Sequence, residues 1–354
     1  MTSRARELAQ VPSVPSGRRN VIINGDMKVS QRGTSFSSND NIYTLDRMRR
    51  AGSSLTTAVF DVEQSTDSPD NFSYSYKTTT STAEGSVDAP DISYGVAYRI
   101  EAQDVQHLGY STSSAKPITI SFWVKSSVTG TYVLSLYNAD NVRNVGKTYT
   151  ISSANTWEYK TLTFAGDTAD GFNNDNGSGL ELYFMTGAGT DYTSGTLSAT
   201  WEDYIAANFA VGQSIQLQNT LNATWQITGL QLEVGNVATE FEYRSFGEEL
   251  NLCRRYYESS SYPDGTASTN NKQMGVALDN SGYDMITGPT FMVTKRDSPT
   301  MNVTDFAEMD GSGVSTGAFT AYEVGHDRHL RFQIGASTTT GVTYRYHYTA
   351  DAEL

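Results

Sequence analysis

The sequence predicts an all-β protein in which antiparallel sheets pack face to face, and three observations support this fold class. Only 18 % of the 354 residues are charged while 22 are tyrosine, a composition that favours strands and turns over helices. Apolar residues alternate over strand-sized runs, and glycine, asparagine, aspartate and serine separate these runs. Only one segment has a clear helical pattern, which argues against a helical fold.

The N-terminal segment, residues 2–10, predicts a short helix that Ser3 can cap. Its helix-favouring residues are Arg4, Arg6, Glu7 and Leu8. So short a helix is unstable in isolation, and the prolines of residues 11–17 predict an extended tether behind it. The segment is therefore either an arm that becomes ordered against another molecule or a frayed terminus.

In residues 20–244, apolar and polar side chains alternate as they do in the strands of a β-sandwich. Trp123 lies on the strand face opposite the apolar one, where it could meet another subunit. In residues 225–234 the phase of the alternation changes at Thr228 and Gly229, which predicts a β-bulge. The apolar face of the strand that contains Trp123 consists of Ile118, Ile120, Phe122 and Val124. Further strands are predicted within residues 96–101, 132–136, 158–164 and 180–185.

The helical segment is residues 246–258. Ser245 and Glu248 have the spacing of a capping box, in which each side chain bonds to the backbone of the other residue. An apolar stripe follows at helical spacing, formed by Phe246, Leu250, Cys253 and Tyr257. This stripe predicts that the helix packs on a sheet or on identical helices of other subunits.

The C-terminal part predicts a second, smaller β-sandwich. Residues 330–334 and 342–348 both alternate with a period of two. Residues 326–329 contain two histidines three positions apart, a spacing that puts them on opposite faces of a strand, so a polar turn is predicted rather than a metal site.

Composition and charge exclude several classes of function. The formal net charge of −14 argues against nucleic-acid binding and against adhesion to an anionic membrane. No run approaches the roughly 20 apolar residues that span a bilayer, and the first ten residues lack the apolar region of a secretory signal. The single cysteine, Cys253, allows no intrachain disulfide and is predicted to be buried and structural.

No cofactor is predicted. Residues 167–177 are dense in oxygen ligands, but their order does not match the EF-hand pattern, so a solvated loop is expected and a structural Ca²⁺ is the alternative. Zinc-protease and P-loop motifs are absent from the sequence, which favours a non-enzyme. Aromatic side chains with polar tips suit sugar stacking as well as ordinary packing. The candidate glycan or receptor contacts are Trp201, Tyr204, Tyr322, Tyr344 and Tyr346.

Several segments resemble tail-fibre-like virion proteins of bacteriophages, particularly marine ones. The N-terminal ones are SRARELA, NVIINGDMKVSQRGTSF and YTLDRM. The central ones are ITISFWVKSSVTGTYVLSLYN, TWEYKTLTFAGDT and WQITGLQLEVGNVATEFEYRSFGEELNLCRRYYE, and the C-terminal ones are FMVTKRDSPTM and YTADAEL. The order WEYKTLTF, then GLQLEVG, also resembles a jelly-roll carbohydrate-binding module.

The resemblance implies a virion structural protein, often a homotrimer, that binds a host glycan or receptor and joins other virion proteins of the tail or capsid. Arg4, Arg6 and Leu8 are then the candidate particle anchor, and the apolar stripe of the helix is the candidate trimer contact. The alternatives are a head fibre or capsid-decorating protein, a polysaccharide-degrading enzyme and a host-encoded carbohydrate-binding protein. The predicted parts are an arm and linker (1–17), a jelly-roll sandwich (18–244), a linking helix (245–260) and a C-terminal β domain (261–354).

Overall fold

The computed structural model describes residues 18–38, 41–261, 273–276, 284–310, 313–315, 321–325, 329–334 and 343–354. Side chains are described for 18–38, 41–261, 290–304 and 346–354. The predicted N-terminal arm, with Arg4, Arg6 and Leu8, lies outside the described residues, as do residues 326–328 of the predicted polar turn.

Thirteen of the described strands lie between residues 35 and 234 and form two antiparallel sheets. These strands are, in chain order, β1 (Ser35–Ser38), β2 (Ile42–Tyr43), β3 (Arg49–Ser53), β4 (Val59–Ser65), β5 (Ser75–Thr82), β6 (Ile92–Glu101), β7 (Ile118–Ser126), β8 (Gly130–Asn138), β9 (Arg143–Ile151), β10 (Glu158–Phe164), β11 (Ser178–Ala188), β12 (Glu202–Asp203) and β13 (Thr224–Val234).

The two sheets pack as a β-sandwich of the jelly-roll type, which confirms the fold class predicted from the sequence. The six-stranded sheet has the order β1-β4-β5-β13-β7-β10, and the seven-stranded sheet has the order β12-β9-β8-β11-β6-β3-β2. Phe122 and Trp225 of the first sheet meet Phe184 of the second in one continuous core. Gly95 makes room for the indole, because a Cβ atom there would lie 2.6 Å from the Trp225 ring.

The predicted β-bulge is confirmed in β13. Up to Thr228, which lies opposite Trp123, this strand pairs with β7 in regular register. The pairing resumes only at Gln231, opposite Ser121, so β13 carries an extra residue between these two points. Gly229 lies within the bulge with φ = +62°, a conformation that glycine adopts without steric cost.

The outer face of the seven-stranded sheet is covered by a long connection, residues 189–215. This connection contains α1 (Thr190–Thr193) and a short 3₁₀ helix (Ala206–Asn208). Its residue Phe209 is buried together with Val133 and Met185 of the sheet, in a second apolar cluster outside the main core. The Ser135 hydroxyl donates a hydrogen bond of 2.6 Å to the Phe209 carbonyl oxygen, which fixes the connection to the sheet.

The second α-helix, α2 (Phe246–Arg254), begins with the predicted capping box, because the Ser245 and Glu248 side chains each bond to the backbone of the other. It ends four residues earlier than predicted. The Arg255 guanidinium binds Glu101 of β6 at 2.6 and 2.7 Å, and the residues from Tyr257 onward pair with a C-terminal strand. Strand pairing therefore replaces the last predicted helical turn.

The helix packs within its own chain. Leu250 and Cys253 are buried against Ile23 and Val29, residues that precede the first strand. Tyr257 is also buried, so three of the four residues of the predicted trimer contact are covered by this chain. Phe246, the fourth, is 46 % exposed. Neither α1 nor α2, the two described α-helices, is long and apolar enough to cross a membrane.

The described C-terminal strands form two smaller antiparallel sheets, in agreement with the predicted second β region. The strands are β14 (Tyr257–Ser259), β15 (Gln273–Val276), β16 (Asp284–Thr290), β17 (Thr300–Asp310), β18 (Gly313–Ser315), β19 (Ala321–Gly325), β20 (His329–Ile334) and β21 (Thr343–Asp351). In one sheet, β14-β21-β17-β18 are adjacent and β15 also pairs with β21; in the other, the order is β16-β20-β19.

Candidate functional site

An open groove of about 950 Å³ lies on the outer face of the six-stranded sheet. Its floor consists of outward-facing residues of β7, β10 and the β13 bulge. The rest of the lining comes from residues 70–72, which precede β5, and residues 238–243, which follow β13. Five of the lining side chains are aromatic: Phe72, Trp123, Tyr159, Phe241 and Tyr243.

The first aromatic group is the pair Trp123 and Tyr159. Phe122 and Val124 point into the core, so alternation along β7 turns Trp123 outward. Tyr159 lies directly opposite Trp123 in the β7–β10 register, and the two ring centroids are 5.4 Å apart at an interplanar angle of 51°. Tyr159 is 46 % exposed, so this pair presents ring surface to solvent.

The second aromatic group is Phe72, Phe241 and Tyr243. The Phe72 ring centroid lies 5.2 Å from that of Phe241 and 5.7 Å from that of Tyr243, and the last two are 5.0 Å apart. Tyr243 is 56 % exposed, and its hydroxyl donates to the Asn71 carbonyl oxygen at 3.3 Å. The three rings therefore support one another while one of them remains open to a ligand.

Gly229 lies between the two aromatic groups. A Cβ atom at this position would lie 2.7 Å from the Phe72 ring and 3.2 Å from the Trp123 ring. Because Gly229 has no side chain, both aromatic groups can approach the backbone of β13 at the bulge.

Residues 238–243 are held in place by two polar side chains on the outer face of β13. The Glu233 carboxylate accepts hydrogen bonds from the Thr239 backbone N–H at 2.8 Å and from the Thr239 hydroxyl at 2.7 Å. The Gln231 side-chain oxygen accepts from the Glu242 backbone N–H at 2.8 Å. These bonds fix the segment before any ligand arrives, which lowers the entropic cost of binding.

Glu242 anchors the same segment to residues that precede the first strand. Its carboxylate accepts from the backbone N–H groups of Arg19 and Asn20 at 3.0 and 2.9 Å, and it pairs with Arg244 at 3.0 Å. Burial alone would raise the pKa of Glu242, but these donors outweigh burial and lower it below its usual range. Glu242 is therefore ionised at neutral pH and acts as a structural group.

Polar groups complete the lining: Asp70, Asn71, Ser121, Thr239 and Glu240. Asp70, Asn71, Thr239 and Glu240 are exposed, and among the described residues neither acidic side chain takes part in an ion pair. The groove thus combines flat apolar ring faces with hydrogen-bonding groups at its edge. This combination suits a ligand that has an apolar face and a hydroxylated edge.

The oxygen-rich run of residues 167–177, where a structural Ca²⁺ was the alternative to a solvated loop, lies within the part of the chain that the structure describes. No group of three or more histidine, cysteine, aspartate and glutamate side chains converges there. Asp167, in the oxygen-rich run of residues 167–177, pairs with Arg143 at 2.7 Å instead. The Cys253 thiol is buried, and burial raises its pKa well above the usual value, as expected for a structural cysteine.

The structure does not bring together the three candidate aromatic residues whose side chains it describes, Trp201, Tyr204 and Tyr346. Trp201 is 9 % exposed, and its indole N–H donates to the Ala165 carbonyl oxygen at 2.9 Å. Tyr204 packs on Tyr137 and Phe209 outside the seven-stranded sheet. Tyr346 is completely buried in β21. Both buried rings, Trp201 and Tyr346, are therefore covered by the chain itself.

The other two candidates, Tyr322 and Tyr344, lie in strands β19 and β21, and their side chains are outside the described residues. Among the aromatic residues of the groove, Trp123 alone carried a signal in the sequence, since the alternation placed it outside the core. Tyr159 follows from Trp123 only when the strand register is known. Phe72, Phe241 and Tyr243 lie in irregular segments, for which periodicity carries no information.

No protein-family model matches the sequence, and no curated protein matches it either. Among solved structures, similarity extends to the enzymatically active domain of tailspike protein 4 of bacteriophage CBA120, at 10 % identity and a TM-score of 0.32. That alignment covers 61 % of this chain and 21 % of the tailspike chain, about a fifth of its length.

Carbohydrate-binding modules show similarity of the same extent. The CBM22-1 xylan-binding domain of Xyn10C from Paenibacillus barcinonensis has 10 % identity and a TM-score of 0.28, with 63 % of this chain and 100 % of the module covered. The family 11 module of a cellulosomal cellulase of Clostridium thermocellum has 10 % identity and a TM-score of 0.29, with 62 % and 96 % covered.

Proposed function

We propose that this chain is a glycan-binding protein and that the groove on the six-stranded sheet is its binding site. The observation that carries the proposal is a preformed groove in which Tyr159 and Tyr243 are exposed and Trp123 is partly exposed. Pyranose sugars have a face of C–H groups that packs on aromatic rings and an edge of hydroxyl groups. The rings of this groove match the face, and the polar groups at its rim match the edge.

Binding fits the groove better than hydrolysis does. Glycoside hydrolysis uses two carboxyl groups in different environments, one of them desolvated so that it keeps its proton. The two acidic residues that line the groove, Asp70 and Glu240, are both exposed to solvent. We therefore expect the chain to bind polysaccharide without releasing reducing ends.

The experiment is affinity electrophoresis of the purified chain through gels that contain soluble polysaccharides, with Trp123→Ala as the test variant. Truncation of a central aromatic contact is expected to weaken binding at least about tenfold. Phe246→Ala is the matched control, because it removes an exposed ring that does not line the groove. Equal retardation of the Trp123→Ala and wild-type chains by a polysaccharide would overturn the proposal. Release of reducing ends would turn the proposal toward an enzyme.

The setting that we propose for this binder is the surface of a bacteriophage particle. The support is the resemblance of its segments to tail-fibre-like virion proteins, which implies attachment by the N-terminal arm, contact with tail or capsid proteins, and a homotrimer. In this setting the groove holds a glycan of the host surface. Since α2 is covered within its own chain, a trimer would use other surfaces than the stripe of Leu250, Cys253 and Tyr257.

Immunogold electron microscopy with antibody against the whole chain tests this setting. Label at the tail supports a fibre that recognises the host. Label over the head supports the alternative, a head fibre or capsid-decorating protein that uses the same groove for weak adhesion. Absence of label from purified particles, with the free protein as positive control, would contradict a virion protein of either kind.

A further inference from the structure

We infer that the groove takes an uncharged glycan and discriminates against sugars that carry carboxylate, sulfate or phosphate. This inference rests on the proposed function, since it specifies the ligand of the same groove. The inference follows from the charged groups in and around the groove, because aromatic contacts alone do not distinguish a neutral sugar from an anionic one.

The first step concerns the acidic groups of the groove. The exposed carboxylates of Asp70 and Glu240 both belong to the lining, and among the described residues no basic side chain pairs with either one. A sugar hydroxyl can donate a hydrogen bond to such a carboxylate, and that bond is strong because the acceptor is charged. An anionic sugar group in the same place would meet like charge instead.

The second step concerns the nearby cations, which are already paired. Lys125 follows Trp123 on the outer face of β7, and its amino group lies 2.5 Å from the Asp67 carboxylate. Arg244 pairs with Glu242 at 3.0 Å and Arg19 pairs with Glu233 at 3.7 Å. The lining residues themselves include no lysine, arginine or histidine. An anionic sugar would therefore have to separate an existing ion pair to find a partner.

The third step concerns long-range forces. The formal net charge of the chain is −14, so an anionic polymer is repelled before it reaches the groove. A neutral polymer experiences no such repulsion. The preference should accordingly weaken as salt screens the charges.

The test compares polysaccharides that share a backbone and differ in charge. One pair is hydroxyethylcellulose and carboxymethylcellulose; the other is polygalacturonate with and without methyl esterification. In affinity electrophoresis at low salt, the neutral member of a bound pair should bind at least about fivefold more tightly. The ratio should fall as the salt concentration rises.

The variant Asp70→Asn with Glu240→Gln keeps the shape of the groove and removes its two charges. It should lower the ratio of neutral to anionic affinity at least about threefold. Asp191→Asn is the matched control, because it removes one exposed charge at α1, outside the groove, and should leave the ratio unchanged.

The outcomes separate this inference from the proposed function. Suppose that Trp123→Ala abolishes binding. If the chain then binds both members of a pair with equal affinity, or if the double variant leaves the ratio of affinities unchanged, the charge preference alone is overturned. Tighter binding of the anionic member would also overturn it. Failure of the chain to bind any of the four polymers or a panel of host surface polysaccharides would overturn both.

Discussion

The two outer faces of the sandwich carry similar residues but differ in what covers them. On the seven-stranded sheet, Tyr94 and Tyr183 have ring centroids 4.8 Å apart, and Tyr183 packs on Phe209 of the 189–215 connection. On the six-stranded sheet, Trp123 and Tyr159 form a comparable pair at 5.4 Å, but none of the connections that the structure describes crosses above them. One aromatic layer therefore stabilises the fold, and the other remains available to a ligand.

The comparison shows that aromatic content does not locate a binding site in a tyrosine-rich chain. Burial separates the two layers, and a chain connection determines burial. The comparison also predicts which property each substitution should change. Substitutions on the covered face should lower stability, and substitutions on the open face should lower affinity.

The largest expected effect is on the covered face. Phe209→Ala removes a ring that is 4 % exposed, and a cavity of this kind costs about 3–5 kcal/mol of the free energy of unfolding. Urea unfolding measures that loss, and binding at a temperature where the variant is folded should match the wild type. Weaker binding by the folded variant would show that the two faces are coupled.

A smaller effect is expected at the connection between the two sheets, where the Glu84 carboxylate is 8 % exposed. It accepts from the backbone N–H groups of Thr56, Thr57 and Ala58 at 3.1, 3.0 and 2.9 Å. Burial would raise the pKa of Glu84, but these bonds and two threonine hydroxyls outweigh burial and lower it to about 2. Glu84→Gln should therefore cost about 2 kcal/mol of unfolding free energy at neutral pH.

The sign of the pH dependence follows from that direction. A carboxyl group whose pKa is lower in the folded state stabilises the protein above the usual pKa of 4.5, and loses this contribution as the pH falls toward 2. The difference in unfolding free energy between wild type and Glu84→Gln should shrink over this range. A difference that stays constant would mean that the charge of Glu84 contributes nothing.

The third prediction concerns Gly229, in the bulge of β13 on the open face. Gly229→Ala places a Cβ atom on a residue with φ = +62° and against the Phe72 ring, so it should cost about 1–2 kcal/mol of stability and also weaken binding. Gly235→Ala is the matched control, since its φ is +124° but no heavy atom lies within 4 Å of the added Cβ. The control should lose stability and keep its affinity. Equal affinities of the two variants would show that Gly229 does not contribute to ligand binding.

The smallest expected effect belongs to Tyr159, an exposed ring on the floor of the groove. Tyr159→Ala should lower affinity about fivefold, because a partly exposed ring contributes less than a central one. Its unfolding free energy should change by less than about 1 kcal/mol, since Tyr159 is 46 % exposed. Calorimetric titration measures the affinity, and a loss larger than that of Trp123→Ala would shift the centre of the site toward β10.

The sequence predicted those parts of the fold that depend on local periodicity. The strand Glu158–Phe164, the bulge after Thr228 and the capping box of Ser245 all follow from patterns within a few residues. The helix end at Arg254 could not be predicted in this way, because pairing of β14 with a strand about 90 residues away overrides helix propensity.

For the same reason, the sequence predicts only part of the candidate site. Trp123 could be placed outside the core, but its partner Tyr159 is set by strand register, and Phe72 and Tyr243 are set by loops. Trp201 and Tyr204 were selected from the sequence as sugar contacts, whereas Trp123 was expected to meet another subunit. Only the three-dimensional packing of residues 189–215 shows why they differ from Trp123.

The most direct test of the central claim is a crystal structure of the chain with an oligosaccharide of the polysaccharide that it binds most tightly. The account predicts a sugar ring against Trp123 and Tyr159, with hydroxyl groups directed toward Asp70 or Glu240. An empty groove with the sugar bound elsewhere, for example at the strands that carry Tyr322 and Tyr344, would contradict it.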